Sequence, residues 1–207
     1  MNNDVSVGER HRAVARIFFV AKLLLLTALA YLFVDLGGRT SQPLKTPDAP
    51  WKVVSLELNS STERASRIVA SWDALEEERR KQSGSSSQPR LIDEHLYWDT
   101  RFICAYASLA AVACWISAEF LARNGRLKLR TGAYVMLAQI AAGACDYGEN
   151  AAIHRMVTAP PVFPWPQLCF AFSLTKWLLI SVGEALVLWS IFLWLVSLFR
   201  RSTPVSL

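Results

Sequence analysis

Two carboxylates and an amide lie close together inside an otherwise apolar stretch of the chain. Asp146, Glu149 and Asn150 are spaced so that all three lie on one face of a helix, and Gly143 and His154 extend that face by a turn in each direction. An ionised carboxylate at the centre of a bilayer costs roughly 2.5–3.5 kcal/mol, so such groups rarely face lipid. We therefore predict that this face meets other helices or a wet cavity, where it can pair with a cation, bind a polar group or exchange a proton.

Polar residues on two other apolar stretches are predicted to reach a similar depth. A helix rises about 1.5 Å per residue, so counting from the basic ends of the stretches places Asp146, Tyr106 and Glu184 roughly 24–25 Å outward, in one layer. A second layer above it is predicted to hold Glu149, Asn150, His154, Lys176, Arg101 and Asp99. Lys176 is the natural counter-charge for Asp146 or Glu149, and Asp146 and Glu184 could share a proton.

Four roles remain open for these residues. They could form a polar interhelical contact that fixes packing, or a pocket for a lipid head group, a small amphiphile or an ion. They could also form a membrane-embedded enzyme with Asp146 or Glu149 as acid and base, together with His154 and a metal, or part of a proton or ion pathway. The spacing matches no standard metal motif, and the chain has no G-x-S-x-G, H-E-x-x-H or P-loop. We therefore expect no metal and no cofactor, and a binding or packing role before an enzymatic one.

The composition indicates a membrane protein. Of 207 residues 53% are hydrophobic and only 19% are charged, which is too apolar for an ordinary soluble domain. The net charge is +5, but the basic residues lie at the ends of apolar stretches, so we predict no nucleic-acid partner. The expected partners are the lipid bilayer and a lipid or small amphiphile.

The four cysteines form no C-x-x-C pair. Cys104, Cys145 and Cys169 are predicted to lie toward the same side of the membrane, so one disulfide is geometrically conceivable. In apolar stretches, however, cysteine usually behaves as a small hydrophobic residue.

Four apolar stretches are long enough to span a bilayer. They cover residues 17–34, 101–122, 131–153 and 168–199. The first stretch is interrupted only by Lys22, whose side chain can extend to the basic end. A cleaved signal peptide is the competing interpretation of this stretch. However, the apolar run continues beyond the potential cleavage site at Ala28 to Ala30. Lysine and arginine concentrate in segments 1–16, 123–130 and 200–207, which places these three in the cytoplasm. The sequence thus predicts an all-α membrane protein, a four-transmembrane-helix bundle with both termini inside.

Two segments are then predicted to lie outside, the large loop 35–100 and the proline-rich loop 154–167. Within the first, Ser60 and Glu63 form a capping box, and apolar residues such as Ile68 and Trp72 recur at helical spacing. These features predict an amphipathic helix at about 60–82. A short strand is predicted within 51–58 and a flexible linker at 84–89.

Short motifs in three of the predicted spans resemble an uncharacterised family of small four-span membrane proteins found mainly in bacteria. The motifs are Asp99-x-x-Phe102-x-x-x-Tyr106, Asp146-x-x-Glu149-Asn150 and Lys176-Trp177, preceded by Ser55-Leu-Glu-Leu and the helix that contains Trp72. The resemblance covers roughly residues 51–185. It implies the four-span layout, the site and a bacterial inner (plasma) membrane location, but no activity.

Overall fold

The computed structural model describes residues 3–40, 43–84 and 89–202, and for residues 3–19, 23 and 198–202 it describes the backbone alone. Within these ranges the chain is helical and contains no strand. The helices are α1 (Asn3–Arg39), α2 (Val54–Glu57), α3 (Thr62–Ser83), α4 (Leu91–Arg123), α5 (Leu129–Thr158) and α6 (Trp165–Ser202).

Three segments of the described chain are long and apolar enough to cross a membrane: Val20–Arg39, Leu91–Arg123 and Trp165–Ser197. Many of their large apolar side chains are exposed, including Tyr31, Leu178 and Phe192. A surface of this kind is suited to lipid, and the chain therefore has the features of a membrane protein. Helix α5 is long enough to span but is not among the three, since polar residues such as Gln139 and Asp146 lower its hydropathy.

Helices α4, α5 and α6 pack against one another, and α1 packs against α4. Small residues permit the closest approaches. A Cβ atom added to Gly132 of α5 would overlap the Cβ of Ala118 of α4, and one added to Gly143 would lie 2.9 Å from the Cβ of Ala107. Helices in bilayers commonly approach through such small residues.

Residues 43–84, here called the cap, cover one end of this bundle. The apolar face of α3 is buried against α2 and the ends of α4, α5 and α6, and this is the hydrophobic core of the described chain. The indole of Trp72 is buried there, and its Nε1 donates to the carbonyl of Leu44 at 2.9 Å. Arg90 joins cap and bundle, because its guanidinium donates to Asp73 at 2.8 Å and to the carbonyl of Val157 at 3.0 Å.

Several predicted boundaries differ from the structure. Helix α3 begins after Ser61 rather than Ser60, and it is the Ser61 hydroxyl that accepts from the backbone N–H of Arg64. The strand predicted within 51–58 is wrong, because this segment contains the short helix α2. Its preceding turn is fixed by the Ser55 hydroxyl, which accepts from the backbone N–H of Trp51.

The predicted loops are also shorter than expected, because the long helices extend beyond the membrane-sized stretches. Helix α1 continues to Arg39, and α5 continues to Thr158. Helix α4 begins ten residues before the predicted start at 101, and the buried carboxylate of Glu76 accepts from the backbone N–H of Leu91 at that end. Most of the predicted linker (85–88) and the end of the predicted tail (203–207) lie outside the described residues.

Candidate functional site

Lys176 is the centre of a buried group of charges. Its ammonium lies 2.9 Å from a carboxylate oxygen of Asp146, 2.9 Å from one of Glu149 and 3.8 Å from one of Glu57. Lys176 is 6% exposed and Glu149 only 1%. We call these four residues the Lys176 cluster. They come from three parts of the chain: α6 supplies the lysine, α5 two carboxylates and α2 of the cap the third.

Hydroxyl groups also bind the carboxylates of Asp146 and Glu149. The phenol of Tyr106 on α4 donates to Asp146 Oδ2 at 2.7 Å, while Asp146 Oδ1 accepts from Lys176. The hydroxyl of Ser173 donates to Glu149 Oε2 at 2.6 Å. Buried charges persist only when they are paired and hydrogen-bonded in this way.

Glu57 brings the cap into the cluster. Burial of the Glu57 side chain raises its pKa well above the ordinary value for a glutamate, and the nearby charge of Glu149 raises it further, whereas Lys176 acts in the opposite direction. A hydrogen bond between the carboxyl groups of Glu57 and Glu149 also favours the protonated form of Glu57. One lysine therefore faces three carboxyl groups, and a proton on Glu57 relieves the excess of negative charge.

A second polar contact lies beside the cluster. The amide of Asn150 on α5 donates to Asp99 Oδ2 on α4 at 2.7 Å. On the same helix as Asp99, the imidazole Nδ1 of His95 lies 2.7 Å from the backbone carbonyl of Thr40. These contacts connect α4 to α5 and to the chain that follows α1.

A cavity of about 830 Å³ opens next to the cluster. Its polar end is lined by carboxyl, hydroxyl, amine and imidazole groups, those of Glu57, His95, Asp99, Tyr106, Asp146 and Lys176. From there it continues between α4 and α6 past apolar side chains, including Leu109, Ala113, Ile180, Val187 and Leu188. The cavity therefore has one polar end and a mostly apolar shaft, which Gln139 and Glu184 also line.

The structure brings together six of the nine residues predicted as a site. Tyr106, Asp146, Glu149 and Lys176 belong to the cluster or bind it, and Asp99 and Asn150 form the adjacent contact. The contacts Tyr106–Asp146 and Asp99–Asn150 each join residues predicted in one layer, whereas Lys176 contacts Asp146 of one layer and Glu149 of the other.

The other three predicted residues lie elsewhere. The guanidinium of Arg101 lies over the ring of Tyr97, and His154 lines a separate groove of about 500 Å³ between α4 and α5. Glu184 lines the cavity but is exposed, and it contacts neither Asp146 nor any other described partner. It follows Lys176 by eight residues, which places it about 12 Å farther along α6 and about 80° around its axis. The predicted sharing of a proton between Asp146 and Glu184 is therefore wrong.

Three polar residues of the site were missed from the sequence. Glu57 belongs to the cluster, and Ser173 donates to it. The amide of the buried Gln139 packs against Gly183 and donates to the carbonyl of Leu179 at 2.9 Å. A glutamate between two leucines in the motif Ser55-Leu-Glu-Leu was the available signal for Glu57. Without periodicity in the loop, nothing in the sequence placed it beside α5.

A further ion pair joins α1 to α4. Lys22 contacts Glu119, whose carboxylate also lies 3.5 Å from Arg123. The extension of Lys22 to the basic end stays a prediction, and the structure adds an ion-pair partner on α4, one turn before Arg123. All four cysteines are free thiols.

The residues that the structure describes include no group of three or more His, Cys, Asp or Glu side chains placed to share a metal ion. No family model matches the chain, and no curated protein and no solved structure is significantly similar to it. The site must therefore be interpreted from its own geometry.

Proposed function

We propose that the chain is an integral membrane protein with four spanning helices, α1, α4, α5 and α6, that binds an amphiphile in the cavity. The polar part of the ligand lies beside Asp99, Tyr106 and Asp146, and the apolar part lies in the shaft between α4 and α6. The observation that carries this proposal is the cavity with one polar and one apolar end.

The inclusion of α5 among the spans is supported by where its polar groups lie. With 30 residues the helix is about 45 Å long, enough to cross a bilayer. Gln139, Asp146 and Glu149 are buried against neighbouring helices, while Leu137 and Ile140 are exposed. The polar groups that lower its mean hydropathy would thus be hidden from lipid.

Charge supports an orientation with both termini in the cytoplasm. Residues 123–130, which join α4 to α5, contain four basic residues and no acidic one, whereas the cap has seven of each. Lysine and arginine in short loops favour the cytoplasmic side. The cap would then lie outside, and it would cover the outer end of the bundle.

The resemblance to a bacterial four-span family agrees with this arrangement. The motif residues Asp146, Glu149 and Lys176 all belong to the cluster, and Asp99, Phe102 and Tyr106 all line the cavity. A location in the bacterial plasma membrane follows from the resemblance and is part of the proposal.

The volume and lining of the cavity suit a single-chain amphiphile. Ligand pockets in proteins typically measure about 300–1,000 Å³ and are mostly apolar, with a few polar groups that fix orientation. The shaft is lined mainly by apolar residues such as Leu109, Ala113 and Val187, and most of the polar groups converge at one end. A molecule with one polar head and one apolar chain satisfies both ends.

Filling the shaft tests this function. Ala113→Trp places a large ring in the cavity, whereas Ser108→Trp places the same ring at an exposed position of the same helix. We expect native mass spectrometry of the protein in a mild detergent to detect an added C16 amphiphile on the wild type and on Ser108→Trp, and little on Ala113→Trp. Equal adducts on both variants would show that the amphiphile binds outside this cavity.

The cluster also supports a structural role for the same residues. Both carboxylate oxygens of Asp146 are occupied by protein donors, and Lys176 is surrounded by carboxyl groups from α5 and the cap. These contacts join α2, α4, α5 and α6 at one point. We propose that the cluster holds the bundle and cap together and thereby shapes the polar end of the cavity.

A further inference from the structure

We infer that the polar part of the ligand is a cation, such as a protonated primary amine or a quaternary ammonium group. This inference rests on the proposed function, because it concerns the ligand of the same cavity. Three features of the lining support it: its charge, the carboxylates that lack a cationic partner and its aromatic rings.

The charges that line the cavity are mainly negative. Three carboxylates face it besides the carboxyl group of Glu57, whose protonated form burial favours: those of Asp99, Asp146 and Glu184, against the two lysines Lys52 and Lys176. Lys176 is also paired with Glu149, which lies behind the wall, so its charge is already compensated. In a site of low dielectric such an excess attracts a positive group more strongly than it would in water.

Asp99 and Glu184 are the carboxylates available to a ligand. Asp99 is half-buried, and its hydrogen-bond partner is the uncharged amide of Asn150. Glu184 has no ion-pair or hydrogen-bond partner among the described residues and lies farther down the shaft. A ligand cation beside Asp99 would supply the positive charge that this carboxylate lacks. Glu184, farther down the shaft, would add negative electrostatic potential that favours the same cation.

Aromatic rings lie next to Asp99 in the same lining. The ring of Phe102 lies 5.1 Å from that of Phe33 and 5.5 Å from that of Tyr106, measured between centroids. All three residues line the cavity. Aromatic faces attract ammonium groups, and quaternary ammonium ligands are commonly recognised by such rings beside a carboxylate.

An anionic head group is a poorer fit for the same walls. To bind Lys176 it would have to displace Asp146 or Glu149, each of which lies 2.9 Å from the ammonium. Lys52 lines the cavity from the cap, outside the buried cluster. Of the two lysines in the lining, only Lys52 would then be available to an anion, which would also face the carboxylates of Asp99 and Glu184.

Three probes that share a C16 alkyl chain but differ in head-group charge separate the contribution of charge to binding from that of the alkyl chain. The full-length protein is kept at pH 7 in an uncharged maltoside detergent, which carries no ammonium group, and is incubated with equimolar hexadecylamine, hexadecanol and hexadecanoate. Bound species are then counted by native mass spectrometry. We expect the amine adduct to exceed the alcohol adduct about tenfold, since one charged hydrogen bond is worth about that factor.

Two other results would overturn the inference. If the alcohol or hexadecanoate binds as well as the amine, the ligand is not selected by positive charge, although the amphiphile site stands. If none of the three binds, the proposed function fails and the inference fails with it.

Substitutions locate the cation. Asp99→Asn should remove most of the preference for the amine, and Glu184→Gln should reduce it less, roughly threefold, because its charge lies farther away. Asp93→Asn removes the same charge from α4 outside the cavity and should keep the preference. Retained hexadecanol binding shows that the Asp99→Asn cavity is intact, and an unchanged amine preference in that variant would refute the assignment.

Discussion

In the cap most of the large apolar side chains point inward, whereas in the bundle many of them point outward. Ile68 and Trp72 of α3 are almost completely buried, while Leu178 and Phe192 of α6 are more than half exposed. The interior of the bundle instead holds charged and polar groups such as Lys176 and Gln139. The same chain thus has an ordinary apolar core at one end and an interior rich in polar contacts at the other.

The difference follows from the surroundings that the side chains of each region leave when the protein folds. The cap gains stability by removing apolar surface from water, at about 25 cal/mol per Å². A helix already surrounded by hydrocarbon gains nothing comparable by burying leucine, so small residues and polar contacts define which faces meet. Substitutions in the cap should therefore destabilise by reducing buried apolar surface, and substitutions in the bundle by disturbing polar contacts and the close approach of helices.

The largest effect is expected for Lys176→Met, which leaves three carboxyl groups without their cation. Removing one partner of a buried ion pair typically destabilises by ~3–5 kcal/mol. We expect a comparable loss in chemical unfolding in detergent, and partial recovery when Asp146→Asn and Glu149→Gln are added. Lys45→Met, at an exposed position of the cap, should stay within about 0.5 kcal/mol of the wild type. Equal stability of Lys176→Met and wild type would show that the cluster does not hold the bundle.

The cap should respond to the loss of apolar volume. Ile68 is fully buried, so Ile68→Ala should reduce the free energy of unfolding by roughly 2–5 kcal/mol. Leu178→Ala, at an outward position of the bundle, should change it much less in the same detergent. If the two variants lose similar stability, the cap and the bundle do not differ in how apolar side chains stabilise them.

Helix contact in the bundle should be sensitive to a single methyl group. The Cβ of Gly132→Ala would meet the Cβ of Ala118, which is fixed to the backbone of α4, so the two helices must separate. We expect a loss of about 1–3 kcal/mol by thermal unfolding. Gly38→Ala in α1 meets nothing within 4 Å and serves as the control, with a neutral or slightly favourable effect. A Gly132→Ala protein as stable as Gly38→Ala would contradict the close contact between α4 and α5.

The smallest expected effect is the pH dependence that arises from Glu57, which connects the two regions. Because burial raises the pKa of Glu57 in the folded protein, the folded state holds its proton more tightly than the unfolded state, whose glutamate pKa is about 4.3. Stability should therefore fall as the pH rises from about 4.3 through the folded pKa, and the slope should vanish above it. Glu57→Gln should flatten this part of a plot of melting temperature against pH.

The exposed Glu63→Gln is the matched control for this measurement, since it removes a glutamate from α3 without touching the bundle. It should follow the wild-type curve. If Glu57→Gln follows the same curve as well, Glu57 does not titrate with a raised pKa.

Much of the site could be predicted because the cost of charge in a bilayer leaves few arrangements. Helical spacing placed Asp146, Glu149 and Asn150 on one face, and the need for a counter-charge indicated Lys176. Depth alone could not place Glu184, since the rise along a helix does not fix the direction in which a side chain points. Glu57 could not be placed either, because it lies on a four-residue helix in a long loop without apolar periodicity.

The fold was predictable to a similar extent and for similar reasons. Apolar stretches of membrane-spanning length indicated the all-helical class, and three such segments are present in the described chain. The ends of the helices were harder to predict, because they depend on contacts with residues of other helices. The carboxylate of Glu76 on α3, for example, accepts from the backbone N–H of Leu91 in the first turn of α4, a contact that helical spacing does not reveal.

The core of the cap is completed by residues from much later in the chain. Ile68 on α3 packs in the same core as Ile153 and Cys169, so its partners are synthesised about 85 and about 100 residues later. At usual rates of translation this delay is on the order of 10 s. During that time the apolar stripe of α3 lacks the partners that α5 and α6 supply, so the core of the cap is completed only when the last helices are made.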